Sequence, residues 1–134
     1  VTTTYLDLGD WVVLAARATG MSESTVLAVA DLGLADSALN APAASFGGVE
    51  FYPTIPLKAA VLIEHLVKAH ALPDGNKRTA WLSGVRFMAV NGWQLHLPAH
   101  DADTLVDLLV ALAAGQLASE KWHGWLAERM YGPR

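Results

Sequence analysis

Apolar positions recur with a helical period along most of the chain, and the breaks between the periodic runs carry capping residues. The first helix is predicted to start at Asp7, which can cap it, with Asp10 at the third helical position and Leu6 stapled onto Trp11. Trp11, Val12, Leu14 and Ala15 give its buried face, and Gly20 ends it. Ser22 caps a second helix, with Met21 and Val26 as its staple and Glu23 suited to the positive helix end. This helix is predicted to run to about Leu32. From Gly33 to Pro56 the helical period fades under Pro42, Gly47, Gly48, Pro53 and Pro56, and Val49-Glu50-Phe51-Tyr52 is the only strand-like stretch. The segment reads as a surface flap or short hairpin.

Regular helix resumes near Pro56 and continues to about His70. Most of it is apolar, with Lys58, Glu64, His65 and Lys68 along one stripe, so it is expected to be the central, largely buried helix. Leu72-Pro73-Asp74-Gly75 breaks the pattern. The next helix is predicted from about Gly75 to Val90, with Thr79, Ser83 and Arg86 on one polar face and Asn91-Gly92 as the stop. Pro98 and Asp101 introduce a helix striped by Leu105, Leu108, Leu109 and Leu112, and the Asp101, Asp103 and Asp107 group reads as its solvated start. After Gly115 a last helix carries Trp122, Trp125 and Leu126, the two tryptophans being expected in the core. The sum is an all-α fold, a compact helical bundle of one domain over residues 1–134, with a small flap before its central helix.

Composition narrows the function. With 134 residues, 53% of them apolar and 16% charged, the chain can build a sizeable core. A net charge of −4 excludes the broad basic surface of a general nucleic-acid binder, so any anion site must be local. The absence of cysteine removes disulfides and thiolate–zinc sites and suits a cytoplasmic location. The apolar runs Ala59–Ile63 and Phe87–Val90 are far shorter than a membrane span, and no targeting segment is visible, so a soluble protein is expected.

One segment breaks the local rules. Helix starts favour Asp and Glu, because the unpaired N–H groups and the macrodipole make that end positive. Here Lys77 and Arg78 occupy the first turn behind Gly75 and Asn76. A docked anion reverses the sign of that argument: free N–H groups, the flexible Gly75 backbone and two cations together hold a phosphate. Asp74, a hard carboxylate just before the cradle, suits a Mg²⁺ shared with nucleotide phosphates. His70 can take a proton from an attacking hydroxyl, since an ordinary imidazole titrates near neutrality. Phosphate-group transfer needs mainly positioning and charge stabilisation, which this segment supplies. The other histidines offer less. His65 and His70 do not share a helical face, and His96, His100 and His123 are scattered.

The run His70-Ala71-Leu72-Pro73-Asp74-Gly75-Asn76-Lys77-Arg78-Thr79-Ala80 resembles the signature of the Fic/Doc family, H-x-F-x-D/N-A/G-N-K-R, in its Doc (death-on-curing) form. The likeness extends from the flap Gly47–Pro53 through Lys58–His70 to Asn91-Gly92-Trp93. It implies a small helical toxin silenced by a Phd-like antitoxin, a protein kinase that transfers the terminal phosphate of ATP to a threonine of elongation factor Tu. Carried over by position, His70 is the base, Asp74 the Mg²⁺ ligand, and Gly75, Asn76, Lys77 and Arg78 the phosphate cradle. The flap around Val49, Glu50, Phe51 and Tyr52 holds the target segment as an added strand. No direct nucleic-acid or membrane partner is expected.

There are departures. Leu72 replaces the usual Phe, which should loosen the loop slightly. Lys77 stands where Fic adenylyltransferases carry glycine, and Trp81 where they carry a second arginine; both favour terminal-phosphate transfer over adenylyl transfer. A self-inhibitory motif is nearly matched by Thr19–Glu23 but fails at Ser24, so silencing is expected from a partner chain. The alternatives are Fic-type protein adenylyl transfer and a catalytically silent helical module that only binds a partner.

Overall fold

The computed structural model, which describes residues 2–133, contains seven α-helices, one small hairpin and one two-stranded sheet formed by strands distant in sequence. Helix α1 (Leu8–Thr19) opens as its sequence requires: Asp7 accepts from the Asp10 N–H, and the Asp10 side chain accepts from the Asp7 N–H. Gly20, at φ 77°, closes it in the left-handed region. Helix α2 (Glu23–Val29) starts on Ser22, which accepts from the Thr25 N–H.

The first correction follows directly. Instead of one helix fading after Leu32, the chain turns at Ala30, which is extended, and starts a new helix α3 (Leu32–Asn40) capped by Asp31. Its inner face is Ala35, Ala38 and Leu39, all buried. Alanine carries little hydrophobic contrast, so the face is nearly silent in a periodicity reading. Pro42 does not interrupt this helix, because it opens the short 3₁₀ turn Ala41–Ala43 that follows.

The expected flap is a hairpin, β1 (Ser45–Phe46) paired antiparallel with β2 (Val49–Glu50). Its connection is Gly47-Gly48, both at positive φ, the conformation a two-residue turn of this kind needs. Thr54 then caps the long helix α4 (Ile55–Ala69), with Pro56 in its first turn. This is the central helix: α3, α5 (Asn76–Val90), α6 (Ala102–Ala113) and α7 (Ser119–Ala127) all pack against it. Ile63, Leu66 and Val67 are buried along its length. Each such side chain taken fully out of water contributes about 1.5–3 kcal/mol. Trp122 of α7 is fully buried and donates its indole N–H to the Ala60 carbonyl at 2.9 Å, while Trp125 is half-buried and stacks on Trp122.

Five polar residues lie deeper than their patterns suggested. Thr79 and Ser83 are buried rather than on a solvated face of α5, and only Arg86 of that trio is exposed. The Ser83 hydroxyl bonds back to the Thr79 carbonyl, which satisfies it without water. Lys58 and Glu64 are buried while His65 and Lys68 are exposed, so the stripe on α4 is divided between core and solvent. Asp101 is buried too: it precedes α6 and accepts from Arg129 Nε at 2.8 Å and Nη2 at 3.2 Å. A second two-stranded antiparallel sheet, β3 (Gln94–Leu95) with β4 (Met130–Tyr131), joins the two sides of that ion pair across helices α6 and α7 and had no sequence signal. No single helix among the described residues is long and apolar enough to cross a membrane.

Candidate active site

The site is built on the corner between α4 and α5. Helix α4 ends on His70, which adopts the left-handed conformation at φ 49°, ψ 46° and is the only non-glycine residue with positive φ among those described. Glycine or asparagine normally fills that position. Holding a side chain with a Cβ there costs on the order of 1–2 kcal/mol. The imidazole is left exposed at the helix end. An outlier of this kind is a physical pointer to function.

The loop that follows is held at several points. Ala71 and Leu72 are buried, and the Ala71 carbonyl accepts from the Asp31 N–H at 2.8 Å, which ties the corner to the start of α3. Asn76 clamps Leu72: its Oδ1 accepts from the Leu72 N–H at 3.0 Å, and its Nδ2 donates to the Leu72 carbonyl at 2.8 Å. The Asn76 side chain, expected in the phosphate cradle, is thus committed to shaping the loop. Leu72 occupies the core-anchor position where the family pattern has Phe, with 4% of its surface exposed.

Gly75 begins α5 at φ 83° with no side-chain cap and no acid in the first turn. A Cβ on Gly75 would sit 2.8 Å from the Thr19 methyl, so glycine is required both for its backbone and for the close approach of α1. Asp74 is exposed, and its Oδ1 accepts from the Gly75 N–H at 2.8 Å. Arg78 reaches across to α1, where its Nη1 donates to the Ala18 carbonyl at 2.9 Å.

These contacts define a cleft of about 240 Å³ lined by Thr19, Met21, Pro73, Asp74, Gly75 and Arg78. The structure therefore brings three of the sequence-predicted residues, Asp74, Gly75 and Arg78, to one concavity. Lys77 is exposed and faces a different cleft, also about 240 Å³, shared with Arg78, Trp81, Leu105, Val106 and Leu109. Trp81 thus covers an apolar groove between α5 and α6. His70 stands outside both clefts, at the end of α4. The flap residues Val49, Glu50, Phe51 and Tyr52 are on and just after β2, with Val49 and Phe51 exposed. A further cleft, of about 280 Å³, lies away from this corner among Asp10, Val13, Leu14, Arg17 and Arg86 and holds none of the motif residues.

Sequence reasoning did not place Ala18, Thr19 and Met21 at the site. They belong to the end of α1 and the turn after it, about 55 residues from Asp74, and only packing of α1 on α5 brings them there. The near match to a self-inhibitory motif at Thr19–Glu23 was the one signal in that stretch.

A model of the Fic/DOC family matches residues 5–88. Toxin Doc of Mycolicibacterium smegmatis (strain ATCC 700084 / mc(2)155) is 41% identical over 111 residues, which cover 83% of this chain and 82% of that one. No solved structure matches the chain. The family match begins just before the capping box of α1 and runs without a break through the flap, the central helix and the motif corner into the last turns of α5; the chain belongs to the Fic/DOC family.

Proposed function

We propose that the chain is a Doc-type toxin, a protein kinase that transfers the γ-phosphate of ATP to a serine or threonine hydroxyl of a translation factor of the elongation factor Tu type. The observation that carries this reading is the start of α5, a 15-residue helix whose first turn has no cap and no acid but two cations. Such an end is suited to the phosphates of a nucleotide. The similarity to a protein named Toxin Doc supports the same reading.

In this reading His70 accepts the proton of the acceptor hydroxyl as its oxygen bonds to the γ-phosphorus, and the bond from that phosphorus to the β-phosphate oxygen breaks. ADP leaves with the electron pair of that bond, and the proton on His70 passes to solvent. Arg78 and the N–H groups at the start of α5 hold phosphate oxygens and stabilise the charge that moves during transfer, and Lys77, on the side of the neighbouring groove, adds positive charge to the same helix end. Asp74 fits a Mg²⁺ that arrives with the nucleotide. No trio of His, Asp or Glu that would hold a metal by itself exists among the described residues, and Mg²⁺ is commonly bound by one or two carboxylates together with substrate phosphates. When bound, the ion would neutralise phosphate charge. Val49–Tyr52 would receive the target segment as an added strand, and a Phd-like antitoxin would silence the toxin in the cytoplasm, where ATP and the target are found.

The test places the label. Chain incubated with a bacterial lysate and Mg²⁺ should label a protein from γ-labelled ATP and not from α-labelled ATP. Label from the α-phosphate instead means adenylyl transfer. No label from either, with no heat of binding for Mg²⁺ and a nonhydrolysable ATP analogue, means a silent partner-binding module.

A further inference from the structure

We propose that Lys58 is a positioning residue that holds the flap ready for its target by tying the second strand of the hairpin and the turn that leads into the first to the central helix. The inference rests on the reading of the flap as the target-binding strand.

Lys58 lies in the second turn of α4 with 1% of its surface exposed. Burying an ammonium group costs several kcal/mol unless it is paired, and an apolar residue of similar size would fill the space without that cost. The partners explain its presence. Nζ bonds to Glu50 Oε1 at 2.9 Å and donates to the Pro42 carbonyl at 3.2 Å, and it lies 5.6 Å from the centre of the Tyr5 ring. Pro42 precedes β1, and Glu50 is the last residue of β2. One charge therefore grips the chain on both sides of the hairpin, and Tyr5 adds the N-terminal lead. Burial works to lower the Lys58 pKa, but Glu50 and Tyr5 outweigh it and hold the ammonium above its ordinary value. The grip is charged throughout the neutral range.

The hairpin needs such a grip. It has only two residue pairs, Ser45↔Glu50 and Phe46↔Val49, extended by one bond from the Phe51 N–H to the Ala44 carbonyl at 3.0 Å. Isolated two-stranded hairpins are marginal in water. Its outer side chains, Phe46 and Val49, are 80% and 68% exposed and contribute little packing. A strand that receives another strand gains affinity when it is already ordered, because ordering on binding subtracts from the interaction. The Lys58–Glu50 pair supplies that order from beneath without using the edge.

Four variants of the full chain test this with ATP and a protein acceptor. Glu50→Ala should raise KM for the acceptor about tenfold, the size of a lost charge-assisted contact, while kcat changes less than about twofold. Glu50→Gln, which keeps an acceptor for Nζ, should recover part of the loss. Lys58→Met combined with Glu50→Ala should be no worse than Lys58→Met alone. Amide exchange at Phe51 should quicken in Glu50→Ala with the α4 amides unchanged, a measurement that does not depend on folding of the buried Lys58 variant. Unchanged exchange and KM in Glu50→Ala, or losses that simply add in the double variant, would overturn the proposal. If wild-type chain labels no acceptor, the kinase reading falls, and the exchange measurement still decides whether the grip exists.

Discussion

His70 occupies a backbone conformation that suits glycine, and the energetic consequence is measurable at that one residue. Replacing His70 with glycine removes the left-handed strain and with it the imidazole. We expect His70→Gly to raise stability by about 1 kcal/mol, read from denaturant unfolding, and to abolish phosphate transfer. A loss of stability would mean that the imidazole is held in place by contacts worth more than the strain. Gly75 is the opposite case. Its positive φ and its approach to Thr19 leave no room for a side chain, so strain is avoided there and concentrated five residues earlier, on the residue proposed as the base. The identities of both residues were plain in the sequence. Their roles in holding the corner were not, because φ and a 2.8 Å approach from α1 are properties of the folded chain.

At the scale of the element, the corner between α4 and α5 is shaped by Asn76 more than by the length of its loop. Its amide satisfies both backbone groups of Leu72, and removing it leaves a buried donor and acceptor without partners. We expect Asn76→Ala to cost about 1–3 kcal/mol in thermal or denaturant unfolding and to weaken nucleotide binding, measured by calorimetry. Unchanged nucleotide affinity in a folded Asn76→Ala variant would show that the cradle does not depend on the clamp. Elements whose capping chemistry adjoined a clear apolar period were legible, as at Asp7, Ser22 and Asn91, whereas the caps Asp31 and Thr54 emerged only in the structure. Helix α3 was missed because its buried face is built mainly from alanine, and β3 and β4 because two-residue strands far apart in sequence carry no local pattern.

The whole molecule is closed by buried polar ties around the apolar core. Glu64 of α4 accepts from Lys68 Nζ at 2.8 Å and from Ser119 Oγ at 2.7 Å, and the second bond fixes the start of α7 on the central helix. Burial works to raise the Glu64 pKa, but Lys68 and Ser119 prevail and hold it below the ordinary carboxylate value of 4.5. Asp101 is likewise held low, chiefly by its bond to Arg129. A carboxylate whose pKa is lower folded than unfolded contributes its full stability above the unfolded value. That stability is lost as pH falls through the folded value. Thermal stability should therefore fall as pH drops below about 4.5, and Ser119→Ala should move the acid transition to higher pH. An acid transition unmoved by Ser119→Ala would mean that Glu64 is held by Lys68 alone.

Helical class, the caps Asp7 and Ser22, the central position of α4, the flap and the chemical character of His70–Arg78 followed from the chain by itself, because each depends on neighbours a few residues apart. Periodicity, capping and first-turn charge are local, and local interactions are written in order along a sequence. Folding decided which polar groups go inside, that α1 supplies one wall of the cleft, that Arg78 turns to Ala18 while Lys77 faces another groove, and that Lys58 reaches the hairpin. Those outcomes depend on contacts between distant segments, and a side chain's partner there is set by packing rather than by its place in the chain.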